Sequence, residues 1–88
     1  MVRKFADHKY AQAHMEDIPG GIALYSYNTK VAEVRNDWLR IFGLYSMTTR
    51  RHIGWFMREL GKFNYQLAKK LYDDYKIMNI KTGEVKDI

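Results

Sequence analysis

A chain of 88 residues suits one small domain with a thin core, because a domain this size buries only roughly 60–65 % of the surface its unfolded chain exposes. Hydrophobic content of 47 % and charged content of 28 % argue against global disorder. The absence of cysteine excludes disulfides, thiolate nucleophiles and cysteine-held metals, and no apolar run approaches the roughly 20 residues of a membrane span. The net charge of +5 and pI of about 9.5 favour an anionic partner, and the 15 % aromatic content, seven tyrosines included, suits interfaces as well as core filling.

In chain order, residues 3–17 carry a ragged apolar stripe (Phe5, Tyr10, Ala13, His14) that predicts a short helix. This N-terminus is charged, lacks an apolar run and does not read as a secretory signal. Ile18-Pro19-Gly20-Gly21 is the clearest breaker and is expected to separate an N-terminal segment, 1–21, from the core of the domain, 22–61.

That core opens with three predicted strands, Ile22–Tyr27, Val31–Arg35 and Trp38–Gly43. Asn28-Thr29-Lys30 is read as the first turn. Asn36-Asp37 is read as a two-residue turn of the kind that tolerates positive φ. The second turn fixes a register of Arg35 opposite Trp38, Val34 opposite Leu39, Glu33 opposite Arg40 and Ala32 opposite Ile41, which pairs apolar with apolar and opposite charges with each other. The first turn then sets Leu24 opposite Val34. The buried face is Ile22, Leu24, Ala32, Val34, Leu39 and Ile41. The other face holds Tyr25, Tyr27, Val31, Glu33, Arg35, Trp38, Arg40 and Phe42, too aromatic for an ordinary solvated face. The C-terminal helix or N-terminal segment, a second copy of the chain, or a partner are the three candidates to cover it.

After Thr48 or Thr49 as N-cap, a helix is predicted to about Leu60, with Ile53, Phe56, Met57 and Leu60 as its packing stripe and Gly61 as its stop. Asn64 caps a further helix within 62–79, with Leu67, Leu71, Tyr75 and Met78 on one side. The phase is also compatible with one long helix through Gly61. Lys81-Thr82-Gly83-Glu84 is a turn in a mobile tail, 80–88. The expected fold is therefore α+β: a three-stranded antiparallel meander packed by one helix, with an additional C-terminal helix, in a single domain.

No reaction is spelled out. Ser26 and Ser46 lack a nucleophile-elbow context, Gly20-Gly21 is no phosphate loop, and the carboxylates form no convincing dyad. His8, His14 and His52 share no ligand spacing, so neither a metal nor a cofactor is expected, and the chain is read as non-enzymatic. The strongest constellation is Arg51, Trp55, Arg58 and Lys62, spaced i, i+4, i+7 and i+11 on one helix face, with Arg50 and His52 beside its start. Arginine forks match phosphate oxygens and an indole stacks on bases. Two arginines in a first helical turn oppose the helix dipole, which hints at a use other than helix stability. Arg35, Trp38 and Arg40, with Tyr25 and Tyr27, form a second candidate surface.

The segment LYSYNTKVAEVRNDWLRIFGLYSMTTRRHIGWFMREL resembles a family of short uncharacterised proteins found mostly in phages and mobile elements of Gram-positive bacteria. Its pattern is carried here by Tyr25-Ser26-Tyr27, Thr29, Val31-Ala32, Tyr45-Ser46, Thr48-Thr49 and Arg51-His52-Ile53. The resemblance covers about half the chain, and GKFNYQLAKKLYDDYKIMN lies outside it. It implies a phage-type accessory protein acting in the cytoplasm of a bacterial host cell.

Two functions are expected from this reading. The first is non-catalytic binding of nucleic acid or a nucleoprotein through the Arg/Trp helix face. The alternative is a protein–protein inhibitor of a host defence system, anti-CRISPR-like in context, anchored by Tyr25, Tyr27, Trp38, Phe42 and Tyr45. A homodimer is admitted too, either over the aromatic sheet face or by pairing of Trp38–Gly43 across a two-fold axis if that strand is a free edge.

Overall fold

The computed structural model describes residues 2–5 and 11–88. Chain order gives β1 (Val2–Arg3), β2 (Ala13–Ile18), β3 (Gly21–Ser26), β4 (Thr29–Arg35), β5 (Trp38–Ile41), α1 (Met47–Leu60), α2 (Tyr65–Asp73), β6 (Lys76–Asn79) and β7 (Val85–Asp87). Among the described residues the strands form one seven-stranded sheet whose spatial order is the chain order, every neighbour antiparallel. The architecture is mixed α and β, but the expected three-stranded meander is only the centre of this larger sheet.

The first enlargement comes from Pro19-Gly20. Ile18 pairs with Gly21, so this dipeptide is the two-residue turn of a hairpin and does not separate the N-terminal segment from the sheet. Proline pre-sets the first turn position, and Gly20 supplies the positive φ of +82° that the second requires. The predicted helix over 3–17 is thereby replaced. Ala13 and Met15 alternate inward along β2, β1 pairs with it, and residues 6–10 of that prediction lie outside the described residues.

The β4–β5 register is the predicted one at all four pairs, and Asn36 and Asp37 both have positive φ. The β3–β4 turn differs. It is the two-residue Tyr27-Asn28 with Tyr27 at φ 58°, and a bulge leaves Val31 without a cross-strand partner. Leu24 therefore faces Ala32, not Val34. The error is an even number of residues, so the side-chain faces are preserved. Leu24, Ala32, Val34, Leu39 and Ile41 are buried and Ile22 is partly buried against them. The bulge also sends Val31, expected on the outer face, into the core.

Ser46, not Thr48 or Thr49, caps α1. Its Oγ accepts from the Thr49 N–H at 3.2 Å, which frees the Thr49 hydroxyl to point inward. Ile53, Phe56 and Met57 are fully buried as the stripe predicts, each contributing roughly 1.5–3 kcal/mol before entropy, and Leu60 packs at the margin. Gly61 ends α1 and the Asn64 carboxamide caps α2 by accepting from the Leu67 N–H at 3.1 Å, so there are two helices rather than one.

The second helix is shorter than expected. After Asp73 the chain turns through Tyr75, at φ 55°, and residues 76–79 are a strand on β5. The turn around Lys81–Glu84 is present, but it leads into β7, which pairs with β6; the expected tail is part of the sheet. The pairing of Trp38 and Leu39 with β6 also means that β5 is not the free edge required for the expected two-fold strand pairing.

Both helices lie on one face of the sheet, α1 against β3 and β4 and α2 against β5 and β6. Ala68 and Leu71 of α2 share a core with Leu39 and Met78, so this helix does not cover the aromatic outer face.

Candidate nucleic-acid interface

The solvent side of α1 and the start of α2 enclose an open groove of about 360 Å³. Arg50, Arg51, Trp55 and Arg58 line it from α1, with Met47 at one end and Tyr65 opposite. Helical spacing gathers the arginines and the indole as the sequence predicts, and Gly54 leaves space between them. A β-carbon built on Gly54 would meet only the Tyr65 Cβ, at 3.8 Å. Lys62 does not join them. The helix stops at Leu60, so the i+11 spacing has no helical meaning beyond Gly61, and Lys62 is exposed away from the groove lining.

Charge is uneven over the surface. Arg3 pairs with Asp17, Lys30 and Arg35 with Glu33, Lys69 with Asp73, Lys70 with Asp74, Lys76 with Asp87 and Lys81 with Asp37. Among the described residues, Arg50, Arg51 and Arg58 form no ion pair, and α1 has no acidic residue in its first turn. Among the same residues Lys4, Arg40, Lys62 and Lys86 also lack an ion pair, but none of them lines the groove, whereas Arg50, Arg51 and Arg58 are gathered round it. Two polar atoms of its lining, Arg50 Nε and the Tyr65 hydroxyl, are buried with no hydrogen-bond partner among the described residues. Such groups cost about 1–3 kcal/mol each unless something accepts from them.

Trp55 is half-buried and held from behind. Its ring meets Phe5 edge-on at 5.7 Å and lies 5.1 Å from the His52 ring. His52 is fixed in turn: its Nδ1 is 2.8 Å from Ser26 Oγ, which is 2.9 Å from Thr49 Oγ1, and all three side chains are buried. This polar cluster ties the end of β3 to the first turns of α1. Sequence reasoning passed over Ser26 and treated His52 as a neighbour of the cations. No local signal marks the cluster, because Ser26 lies 23 residues from Thr49 and 26 from His52 along the chain.

The second predicted surface lies on the other side of the sheet. Its rings are occupied by the chain's own groups: Lys86 sits over Trp38 at 4.1 Å, Arg40 over Phe42 at 5.0 Å, and Tyr25 stacks on His14 at 5.1 Å. Arg35 is held by Glu33. Burial alone would raise the Glu33 carboxyl, but hydrogen bonds and charge from Arg35 and Lys30 outweigh it and keep the group below its ordinary range. Tyr27 does not belong to this surface; its ring is 6.1 Å from that of His52, on the helix side. Among the described residues no three His, Asp or Glu side chains are grouped as a metal site would need, and no helix is long and apolar enough to cross a membrane.

Comparison with known protein families matches residues 3–74 to a family of unknown function, DUF8033, and the chain belongs to that family. The match runs from β1 to the end of α2 and so includes the whole groove and most of the 61–79 segment that the resembling pattern left out. Neither the curated proteins nor the solved structures contain a match to the chain.

Proposed function

We propose that the protein is a non-catalytic accessory protein that binds nucleic acid through the groove between α1 and α2. The observation that carries this reading is the set of unpaired arginines, Arg50, Arg51 and Arg58, arranged around the half-buried Trp55. Elsewhere among the described residues, Arg3, Lys30, Arg35, Lys69, Lys70, Lys76 and Lys81 are each paired with a carboxylate. Arginine forks suit phosphate oxygens bidentately, and the lining also holds two aromatic side chains, Trp55 and Tyr65, of the kind that accompany bases in nucleic-acid sites. The resemblance to phage and mobile-element proteins adds a setting, the cytoplasm of a bacterial host.

Fluorescence anisotropy with labelled DNA and RNA, single- and double-stranded, over a salt series tests the proposal. Three neutralised phosphates give a slope of log K against log[salt] of about −2 to −3. Replacing Arg50, Arg51 and Arg58 together with alanine should flatten the slope and abolish binding. Absence of binding to all of these nucleic acids at low salt overturns the reading. A bacterial protein retained after nuclease treatment would then move the function to the aromatic sheet face.

A further inference from the structure

We infer that Tyr27 and Tyr45 are nucleic-acid-binding residues, two exposed rings beside the start of α1 on which unpaired bases of a single strand stack while Arg50 and Arg51 hold its phosphates. This rests on the nucleic-acid reading and extends its site beyond the groove.

Backbone conformation singles these two residues out. Tyr27 has φ 58° and Tyr45 has φ 45°, in the left-handed region that a bulky side chain occupies at a cost and glycine occupies freely. Burial does not offset that cost, because the two residues are 51 % and 63 % exposed. Strain of this kind gathers at functional sites, where a side chain is kept for what it contacts. The fold then brings the two together. Ser26 and Ser46, their neighbours in the chain, both meet Thr49 Oγ1, at 2.9 and 3.3 Å. Both rings are seated before a ligand arrives. Tyr27 lies 6.1 Å from the His52 ring, and Tyr45 rests on the Gly43 backbone, where an added β-carbon would stand 2.5 Å from its ring. Met47, 76 % exposed and part of the groove lining, joins the tyrosines to Arg50 and Arg51.

Charge then selects the ligand. Arg50 and Arg51 form no ion pair among the described residues, and the first turn of α1 has no acidic residue, so the surface beside the rings is positive. An exposed ring next to a guanidinium offers stacking that any unpaired base accepts, whereas a base inside a duplex has both faces covered by its neighbours. Tyr75 supplies the contrast. It has φ 55° and is 75 % exposed, but Asp74 and Lys76 on either side of it are paired with Lys70 and Asp87. Strain and exposure at Tyr27 and Tyr45 coincide with unpaired arginines, and at Tyr75 they do not.

The test is fluorescence anisotropy of the full chain with a labelled single strand and the corresponding blunt duplex, as DNA and as RNA. Tyr27→Gly and Tyr45→Gly each remove a ring at a position that glycine prefers. Each should hold or raise the thermal midpoint while weakening single-strand binding about five-fold or more, the loss expected for one stacked base. Duplex binding and the salt slope should not move, because stacking releases no counterions. Tyr27→Phe and Tyr45→Phe keep the ring and should bind as the native chain does, and Tyr75→Gly should leave binding unchanged. If circular dichroism shows a glycine variant unfolded, tyrosine acetylation of the native chain with N-acetylimidazole, mapped by mass spectrometry, decides the matter. The single strand should protect Tyr27 and Tyr45 and leave Tyr75 reactive. Folded glycine variants that bind the single strand normally, equal loss of single-strand and duplex binding, or Tyr27 and Tyr45 left unprotected would each overturn the inference while leaving salt-dependent nucleic-acid binding in place. Absence of binding to every nucleic acid at low salt overturns both readings, and the two rings would then belong to a contact with protein.

Discussion

Ser26 is the residue on which β3, α1 and Trp55 converge. Its hydroxyl contacts Thr49 and His52 inside the core, and His52 carries the ring against which Trp55 rests. Ser26→Ala fits the space but leaves two buried polar partners short of a hydrogen bond. It should cost about 1–3 kcal/mol, read as a lower urea midpoint at unchanged slope. The indole would lose its fixed support as well, so Trp55 emission should become more quenchable in the folded state. A change under about 0.5 kcal/mol would mean that another group satisfies Thr49 and His52. The arginines and the indole were legible in the sequence because helical periodicity is local: positions 51, 55 and 58 share a face wherever the helix packs. The polar cluster was not legible in that way. Ser26 and His52 are 26 residues apart, and nothing near either one states that the end of a strand will lie against the first turns of a helix.

At the scale of elements, the hairpin of β2 and β3 depends on the close approach of Gly21 to β4. A β-carbon at Gly21 would lie 1.7 Å from the Val34 carbonyl oxygen, a backbone atom that cannot swing aside. Gly21→Ala should therefore destabilise by at least roughly 2 kcal/mol, detected as a fall in thermal midpoint with loss of amide protection in β2 and β3. An unchanged midpoint would refute this reading of the hairpin.

The same region shows why three strands were readable and four were not. Asn36-Asp37 encodes its turn in residue type, and the pairs it dictates follow. Tyr27 occupies a left-handed turn position that normally favours glycine or asparagine, so its turn was placed one residue late. Strands of two to six residues such as β1, β2, β6 and β7 are too short for alternation to compete with a helical pattern, and their pairing partners decide them. Residues 76–79 continue the apolar phase of α2, yet the turn at Tyr75 redirects them onto β5.

For the whole molecule, the division of labour follows the two sides of the sheet. The helical side holds the core and the groove. The other side keeps its aromatic rings under its own cations, while Glu33 stays ionised between Lys30 and Arg35. The outer edges are short, two residues in β1 and three in β7, and each edge strand is joined to its neighbour by an ion pair, Arg3 with Asp17 and Lys76 with Asp87. Short, charged edges discourage strand addition by another chain.

The strand order has a kinetic consequence. Neighbours in the sheet are neighbours in the chain, so hairpin turns close β2 to β5 cheaply. Only the pairing of β5 with β6 must wait for the intervening α1–α2 excursion, which by the logarithmic loop rule adds on the order of 2–3 kcal/mol of chain entropy over a two-residue turn. The central hairpins with α1 should therefore form the transition state, and β6–β7 should dock after it. In stopped-flow chevrons, Val34→Ala should slow refolding with a φ-value of about 0.5 or more, whereas Met78→Ala should chiefly accelerate unfolding, with φ below about 0.3. The reverse ranking would mean that the chain closes its longest loop first. On the predicted ranking, the 3–74 span shared with the family contains the residues that set the folding rate, and the strands beyond it act as a late clasp that sets how long the native state lasts.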